Sequence, residues 1–359
     1  MDIPKKMQEK LDFKTSTHQQ INQLISEIDI FKGTWRVLEQ SQSMYLKELR
    51  KIATIESIGS STRIEGATLT DAEVEKLLKS VKITKLTTRD QQEVVGYYEA
   101  LEIILDNYKD VPLTESYIHQ LHGILLKHSD KDQTHKGRYK NLSNQVVANY
   151  PDGTQRIIFR TTEPHLTPSE MVRLLQWANE RFEKKDLHPL LIVAAFVYEF
   201  LSIHPYQDGN GRLSRLLTSL LLLKLDYPFI QYVSFEHVVE SKKESYYRAL
   251  MEGQKDRYND EECIDRWVVF FLESLIELTK RLGVKYEVYN KLKVGLNDRQ
   301  QQIFNYIKEK ETAKIGAIES FLENYSRNTI KKDLAYLVGE GLLLKVGAGR
   351  GVRYHVKEY

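Results

Sequence analysis

The sequence predicts a mainly α-helical protein with one β-hairpin and a small separate domain at its C-terminus. Apolar residues recur at helical spacing through most of the 359 residues. One interruption, between residues 145 and 160, places β-branched and aromatic residues around a Pro-Asp-Gly turn. After Lys293 the elements become shorter and follow a different pattern. We therefore expect three regions, at residues 1–110, 111–293 and 294–359.

The first two regions are predicted to be helical almost throughout. Amphipathic segments at 19–38 and 45–58 are followed by a helix at 89–108, and Thr114 opens another that runs toward His128. The run Thr167-Pro168-Ser169-Glu170 combines an N-cap threonine, a proline at the first helical position and an acid in the first turn. It predicts another helix start, and helices then continue to about residue 281.

The most informative run is residues 204–215. It predicts a buried helix at 190–203 that ends before Pro205, a glycine-rich turn, and a second helix that begins near Gly211. A base, a carboxylate, backbone N–H groups and two arginines together suit the binding and transfer of nucleotide phosphates. An N-cap with two solvated arginines is the alternative interpretation. The residues concerned are His204, Asp208, Gly209, Asn210, Gly211, Arg212 and Arg215.

This run resembles the HPFxxGNGRxxR signature of Fic-domain proteins, with Tyr206 in place of the phenylalanine. The resemblance implies a Fic helical bundle and AMPylation, the transfer of AMP from ATP to a Ser, Thr or Tyr hydroxyl of a target protein, with Mg²⁺ as cofactor. It implies that His204 is the general base and that Asp208 is the Mg²⁺ ligand. Asn210 and the loop amides of Gly209 and Gly211 would surround the α- and β-phosphates, and Arg212 and Arg215 would hold the outer phosphates.

A second motif lies upstream, at Ser61-Thr62-Arg63-Ile64-Glu65-Gly66. It is similar to the inhibitory-helix pattern (S/T)xxxE(G/N) of the same family, here expected at about 46–66. The resemblance implies that Glu65 pairs with Arg215, removes the charge that should bind the γ-phosphate, and leaves the α-phosphate out of line for attack. A plain helix end with Gly66 as its cap is the other interpretation, and both can hold together.

The resemblance also assigns roles to two further segments. The hairpin at 145–160 would be a flap over the active site that pairs with the backbone of the target, and Val146 and Val147 would touch the nucleotide. An ordinary surface hairpin is the alternative. Tyr246 and Tyr247 fall in a segment that lines the adenine pocket, where a ring would stack on the base. Half-buried packing tyrosines are the equally open alternative.

The C-terminal region predicts a winged helix-turn-helix. Helices are expected at 300–310 and 316–324, a third from 326 to 338, and strands at 342–346 and 352–356. Residues 326–359 contain seven basic and three acidic residues, a net charge of +4. DNA binding and a protein-interaction or dimer module both remain open. The third helix has Arg327, Asn328, Lys331 and Lys332 on its early turns.

Composition limits the setting and the partners. The net charge of +2 gives no strong field toward nucleic acid or membrane, and the single cysteine, Cys263, excludes an intramolecular disulfide framework. The N-terminus lacks the apolar run of a signal peptide, and the leucine-rich segment 216–225 is too short to cross a bilayer. We expect a cytoplasmic protein with no membrane partner. Relatives often form homodimers, but no feature of the sequence demands one.

Three functions therefore compete. The first is a protein AMPylator that can modify a target and itself, and whose activity is kept low by Glu65. The second is a deAMPylase in which Glu65 orients a water molecule. The third is a DNA-binding transcriptional regulator in which the Fic part is a sensor or a relic. The target, the type of hydroxyl and the signal that relieves inhibition leave no trace in the sequence.

Overall fold

A computed structural model describes residue 7 and residues 9–39, 43–81, 85–149, 155–258, 261–340, 342–347 and 349–356. The chain divides into two compact units, residues 1–282 and 283–359. The division lies eleven residues before the boundary expected at 293/294, inside a long helix. The expected boundary at residue 110 falls within the first unit, so a separate N-terminal region stays a prediction.

The first unit opens with five helices. Three of them begin at threonine caps: Thr70, Thr88 and Thr114 each accept a hydrogen bond from a backbone N–H of the first turn. Thr70 and Thr88 form complete capping boxes, which fix where these helices start. The helices are α1 (Thr15–Glu39), α2 (Ser43–Ile64), α3 (Asp71–Ser80), α4 (Arg89–Asn107) and α5 (Glu115–Leu125).

A two-stranded antiparallel hairpin follows, as the sequence predicts. Strand β1 (Gln145–Asn149) pairs with β2 (Gln155–Arg160), and the register shifts between Val146 and Val147. The predicted Pro-Asp-Gly turn at 151–153 lies outside the described residues.

Helix α6 (Thr167–Lys184) starts where expected, but its cap differs. The cap position is Leu166, and Thr167 is the first helical residue. The Thr167 hydroxyl donates to the backbone oxygen of Glu163, 3.1 Å away, so it does not accept from the first turn. The prediction that Thr167 is the N-cap was therefore wrong, because the helix begins one residue earlier than its proline suggested.

Two central helices carry the loop of interest between them. Helix α7 (Pro189–Ile203) and helix α8 (Asn210–Lys224) are buried along nearly their whole length and pack against each other. The apolar residues of α7 cover all its sides, as expected for a core helix rather than a surface one. Helix α8 also buries polar residues, among them Arg212, Arg215 and Thr218. Around them lie α9 (Phe235–Ser241), α10 (Lys243–Gln254) and α11 (Asp265–Gly295). No described helix is long and apolar enough to span a bilayer.

The second unit is built as the sequence predicts for a winged helix-turn-helix. Its apolar core includes Ile303, Ile318, Leu334 and Leu343. Asn297 caps the first helix in a capping box with Gln300. The elements are α12 (Asp298–Glu309), α13 (Ile315–Phe321), α14 (Arg327–Gly339) and an antiparallel hairpin of β3 (Leu343–Val346) and β4 (Arg353–Val356).

Candidate active site

His204 ends helix α7 in a conformation that few side chains adopt. Its backbone has φ 53° and ψ 62°, in the left-handed region, and its N–H donates to the backbone oxygen of Phe200 at 2.9 Å. Such a conformation costs about 1–3 kcal/mol and persists only when its surroundings enforce it. The chain thus turns sharply out of α7 and presents the imidazole at the entrance of the loop that leads to α8.

The imidazole of His204 is arranged as a proton acceptor. Its Nδ1 lies 3.3 Å from the backbone oxygen of Leu201, which can only accept, so the ring proton belongs on Nδ1. Nε2 then keeps its lone pair. Burial, reinforced by the positive charge of Lys140, lowers the pKa of His204 from 6.5 to about 4. The ring is therefore neutral at neutral pH, as a general base requires.

Asn210 closes this loop rather than facing a ligand. Its side-chain Oδ1 accepts from the Tyr206 N–H at 2.8 Å, and its Nδ2 donates to the Tyr206 oxygen at 2.7 Å. The residue is buried. The side chain thus holds the loop closed, and the expected place of Asn210 beside the phosphates stays a prediction. What Asn210 can offer an anion is its backbone N–H, because the first N–H groups of a helix have no acceptor within it.

Two glycines shape the N-terminal end of α8. Gly209 adopts φ 81°, a left-handed conformation that glycine takes without strain. Gly211 lies in the first turn of α8, and a Cβ placed on it would collide with the carboxylate of Glu65. The Glu65 carboxylate therefore rests directly on the backbone of this turn, where the partial positive charge of a helix start favours an anion.

Glu65 also binds Arg215, the pair that the resemblance implied. Glu65 Oε1 lies 2.8 Å from Arg215 Nη2, and the same guanidinium donates to Ser61 Oγ at 2.8 Å and to the Ser61 backbone oxygen at 2.9 Å. Arg215 is buried, whereas 33% of the Glu65 side chain stays exposed. Burial opposes ionisation of Glu65, but the charges of Arg215 and Arg212 outweigh it and lower its pKa. An ionised carboxylate thus occupies the site.

Arg212 has different partners from Arg215. Its Nη1 lies 3.3 Å from Glu93 Oε2 and its Nη2 lies 3.2 Å from Asp208 Oδ1, and the side chain is buried. The sequence placed both arginines at one anion site because they are three residues apart. The structure gives each arginine its own carboxylates, although the charges of both act on Glu65.

Asp208 is the carboxylate of the loop itself. Its Oδ1 accepts from the Gly209 N–H at 2.6 Å, and its Oδ2 lies 3.2 Å from Arg89 Nη2. Burial would raise its pKa, but Arg212, the Gly209 N–H and Arg89 lower it, so Asp208 is ionised. Over the described residues no three His, Cys, Asp or Glu side chains are grouped to hold a metal ion. A single ionised carboxylate suits Mg²⁺, which commonly takes one or two carboxylates with substrate phosphates and water.

His122, a residue of α5, supports the loop. This role was not predicted from the sequence. Its ring stacks on Tyr206 with centroids 3.7 Å apart. Its Nδ1 accepts from the Gly137 N–H at 2.8 Å, so Nε2 carries the proton and donates to the Asp208 backbone oxygen at 3.0 Å. Burial lowers the pKa of His122 from 6.5 to about 4. A lone histidine on a helix gives no local signal for this role.

Val146, Val147, Tyr246 and Tyr247 were predicted to contact the nucleotide. Val146 is half-buried on β1, and the side chain of Val147 lies outside the description. Tyr246 is buried against Trp267 at 5.7 Å and Tyr247 at 5.2 Å. Burial, partly offset by the charge of Arg215, raises the pKa of Tyr246 to about 12. These contacts match the packing interpretation for Tyr246, and the adenine contacts stay predictions.

The second unit contains a basic groove of about 1250 Å³ between α14 and the β3–β4 hairpin. In the portion of the chain that the structure describes, no acidic side chain lines it. The face is thus suited to a polyanion. Its basic lining residues are Lys310, Lys314, Arg327, Lys331, Lys345 and Arg353.

Family models match a part of each unit. Residues 112–222 match the Fic/DOC family, and residues 299–352 match the DeoR-like helix-turn-helix domain. The chain contains a Fic domain. Protein adenylyltransferase Fic of Drosophila willistoni is 26% identical over 210 residues, which are 57% of this chain and 39% of that protein. The chain therefore spans less than two fifths of this curated relative.

Solved structures share the Fic fold. A Fic family protein from Desulfovibrio desulfuricans G20 is 22% identical with a TM-score of 0.65, over 95% of this chain and 96% of that chain. A Fic domain containing signaling protein from Bacteroides thetaiotaomicron is 26% identical with a TM-score of 0.58, over 73% of this chain and 94% of that chain.

Proposed function

We propose that this Fic protein is a protein adenylyltransferase that transfers AMP from ATP to a hydroxyl of a target protein, and to itself, and that Glu65 inhibits it. One observation carries the proposal. The Glu65 carboxylate rests on the first turn of α8 and binds Arg215, so an anion already occupies the place where a nucleotide phosphate would bind.

The residues around the loop suit attack at the α-phosphate. His204 Nε2 would accept the proton of the target hydroxyl as that oxygen bonds to phosphorus, and the bond to pyrophosphate would break. The N–H groups of the loop and of the first turn of α8 would face the phosphate oxygens. Asp208 would hold Mg²⁺, which neutralises phosphate charge when bound. Arg212 and, once Glu65 leaves, Arg215 would stabilise the charge on the leaving group.

Inhibition follows from competition for one guanidinium. Arg215 is buried, and its hydrogen-bond partners include Ser61 of α2 and Glu65, which follows the end of α2. A γ-phosphate that approached Arg215 would meet the negative charge of Glu65. ATP would then bind with its α-phosphate displaced from the line of attack, and correct alignment accounts for a large part of catalysis.

The test compares single substitutions with α-³²P-labelled ATP and Mg²⁺. Glu65→Gly should give label transfer and an added AMP mass on the protein itself, and Glu65→Gln should give part of it because only the charge is removed. Adding His204→Ala should reduce transfer about 10²-fold or more. Absence of transfer from Glu65→Gly protein that still binds Mg-ATP would refute the proposal.

Removal of AMP is a second candidate at the same site. Glu65 is ionised and partly exposed, and its charge acts on His204, so it could orient a water molecule toward a phosphodiester. The protein with Glu65 in place would then release AMP from an AMPylated target, and Glu65→Gly would stop the release. If the protein with Glu65 in place left the AMPylated target intact, this candidate would be discarded.

The groove of the second unit favours a further role in binding duplex DNA. Six basic residues line it beside α14, which is placed like a recognition helix. Binding should weaken steeply with salt, and Lys331→Glu with Arg353→Glu should weaken it further. If binding to DNA were undetectable or independent of salt, the second unit would instead be assigned to protein interaction.

A further inference from the structure

Lys140 is a buried lysine beside the catalytic loop, and only 3% of it is exposed. Its ammonium donates to three oxygens: Ile203 O at 3.0 Å, Asn144 Oδ1 at 2.9 Å and Thr161 Oγ1 at 2.8 Å. An ammonium has three donors, so all of them are used. Among the ion pairs of the described residues, none involves Lys140. The ammonium is thus in direct contact with three neutral oxygens, and the carboxylates of Glu163 and Glu170 act on its charge without a direct contact.

The contacts of Lys140 enclose His204 from both sides. Ile203 precedes His204 and ends α7, and the Lys140 backbone N–H donates to the oxygen of Pro205, which follows His204, at 2.9 Å. A cation at the carbonyl end of a helix is favourable because the helix dipole is negative there. Lys140 therefore caps α7 and holds the carbonyl groups of the two residues on either side of the left-handed residue.

The same lysine holds both ends of the flap hairpin. Asn144 directly precedes β1 and Thr161 directly follows β2. The Thr161 hydroxyl donates to the Asn144 oxygen at 3.0 Å, and Asn144 Nδ2 donates to the Tyr206 oxygen at 2.8 Å. The two strand ends are thereby joined to each other and to the loop that contains His204.

We propose that Lys140 is a positioning residue that sets the distance and orientation between the flap hairpin and His204. This rests on the proposed function and on the predicted pairing of a target segment with the hairpin, which would deliver its hydroxyl to His204. None of the residues assigned to the phosphates donates to or accepts from Lys140 in these contacts. Loss of the ammonium should therefore impair delivery of the hydroxyl and leave binding of Mg-ATP intact.

The charge of Lys140 adds an effect at His204 itself. The groups that act on this imidazole are Lys140, the Leu201 carbonyl of its own helix, Glu65 at the end of α2, and Asp208 of the loop. Lys140 lowers the pKa of His204, whereas the other three raise it. A neutral residue at position 140 should thus raise the pKa of the imidazole.

The experiment uses the full chain with Glu65→Gly as parent, and adds Lys140→Met, Lys140→Arg or the control Arg138→Met. Arg138 is exposed and lies two residues from Lys140. Four quantities are compared: Mg-ATP affinity by calorimetry, the rate of self-transfer, the His204 pKa by NMR, and amide exchange at His204 and in the hairpin. Should Lys140→Met fail to fold, Thr161→Val removes one contact of the ammonium at nearly unchanged volume.

With Lys140→Met we expect exchange at His204 and the hairpin to rise about 10-fold, and transfer to fall about 10-fold, at unchanged Mg-ATP affinity. Lys140→Arg should restore most of both, and Arg138→Met should change neither. Unchanged exchange and an unchanged His204 pKa would overturn the proposal, as would a parallel loss of Mg-ATP affinity. If the Glu65→Gly parent itself transfers nothing, the proposed function fails. The amide exchange rates and the pKa of His204 would then still decide the role of Lys140.

Discussion

Arg63 and Glu240 form a two-pronged ion pair, with Nε 2.7 Å from Oε1 and Nη2 3.0 Å from Oε2. Arg63 lies two residues before Glu65, and its Nη1 also donates to Asp71 at 2.8 Å and to the Leu69 oxygen at 3.0 Å. Lys243 adds a hydrogen bond to the Ile64 oxygen at 2.8 Å. The end of α2 is thus held to α3, α9 and α10 independently of the Glu65–Arg215 pair.

Arg63→Met should therefore weaken the inhibition while Glu65 remains in place. Hydrogen bonds to charged groups contribute about 1.5–3 kcal/mol each, and even half of one such bond would raise transfer several-fold. Label transfer from ATP measures the effect. Arg50→Met is the control. Arg50 also lies on α2 and forms an ion pair with Asp106 of another helix at 2.8 Å, but it precedes the inhibitory motif by more than ten residues. Equal transfer from both variants would contradict the prediction.

Gly211→Ala should separate helix stability from anion binding. Alanine favours a helix over glycine by about 1 kcal/mol, so the melting temperature should hold or rise in a Glu65→Gly parent. A methyl group on this turn would nevertheless occupy the space where the Glu65 carboxylate now rests. We expect Mg-ATP affinity to fall about 10-fold or more by calorimetry. Gly123→Ala is the control, since a Cβ there meets nothing within 4 Å; an undiminished affinity in Gly211→Ala would count against the phosphate site.

Asp208→Asn should raise the Mg²⁺ concentration that transfer requires. The substitution removes the ionised oxygens that lie near Arg89 and Arg212, and an amide is a weaker ligand for a hard cation. In a Glu65→Gly parent we expect the half-saturating Mg²⁺ concentration to increase about 10–100-fold, measured by transfer over a Mg²⁺ titration. A curve that coincides with the parent's would remove Asp208 from the metal site.

His122 should make stability depend on pH. Its pKa is about 4 in the folded protein and 6.5 ordinarily, so between these values the unfolded chain binds more protons than the folded one. Stability therefore falls as pH drops through 6.5 toward 4. At pH 5 the loss attributable to His122 is on the order of 2 kcal/mol. Urea unfolding at pH 7 and pH 5 should show a smaller decrease for His122→Phe, and an identical decrease would show that His122 does not titrate as described.

The sequence predicts the helices around the site well. The core helices α7 and α8 carry long apolar runs interrupted by Pro205, Gly209 and Gly211, and such signals survive in any tertiary context. The winged helix is predicted from similar local signals, namely residues that start helices and glycines that separate its short elements. Thr167 shows the limit, because proline and threonine fix a helix start only to within a residue or two.

The site could be predicted only in part from the residues. Glu65 and Arg215 are 150 positions apart, and no periodicity joins them, so their pairing came from the family resemblance. Asn210 was predicted to lie beside the phosphates, whereas its side chain turns back onto Tyr206, and composition does not encode that direction. Lys140 and His122 were missed because their roles arise from contacts between distant segments.

The left-handed backbone at position 204 restricts which amino acids that position can hold before any chemistry is considered. Histidine, asparagine and aspartate enter this region more readily than other non-glycine residues, whereas β-branched residues strongly resist it. A chemically inert protein that keeps the shape of the loop is thus best made as His204→Asn, not His204→Val. Such a variant would retain the shape of the loop and serve to trap a target that the active protein releases.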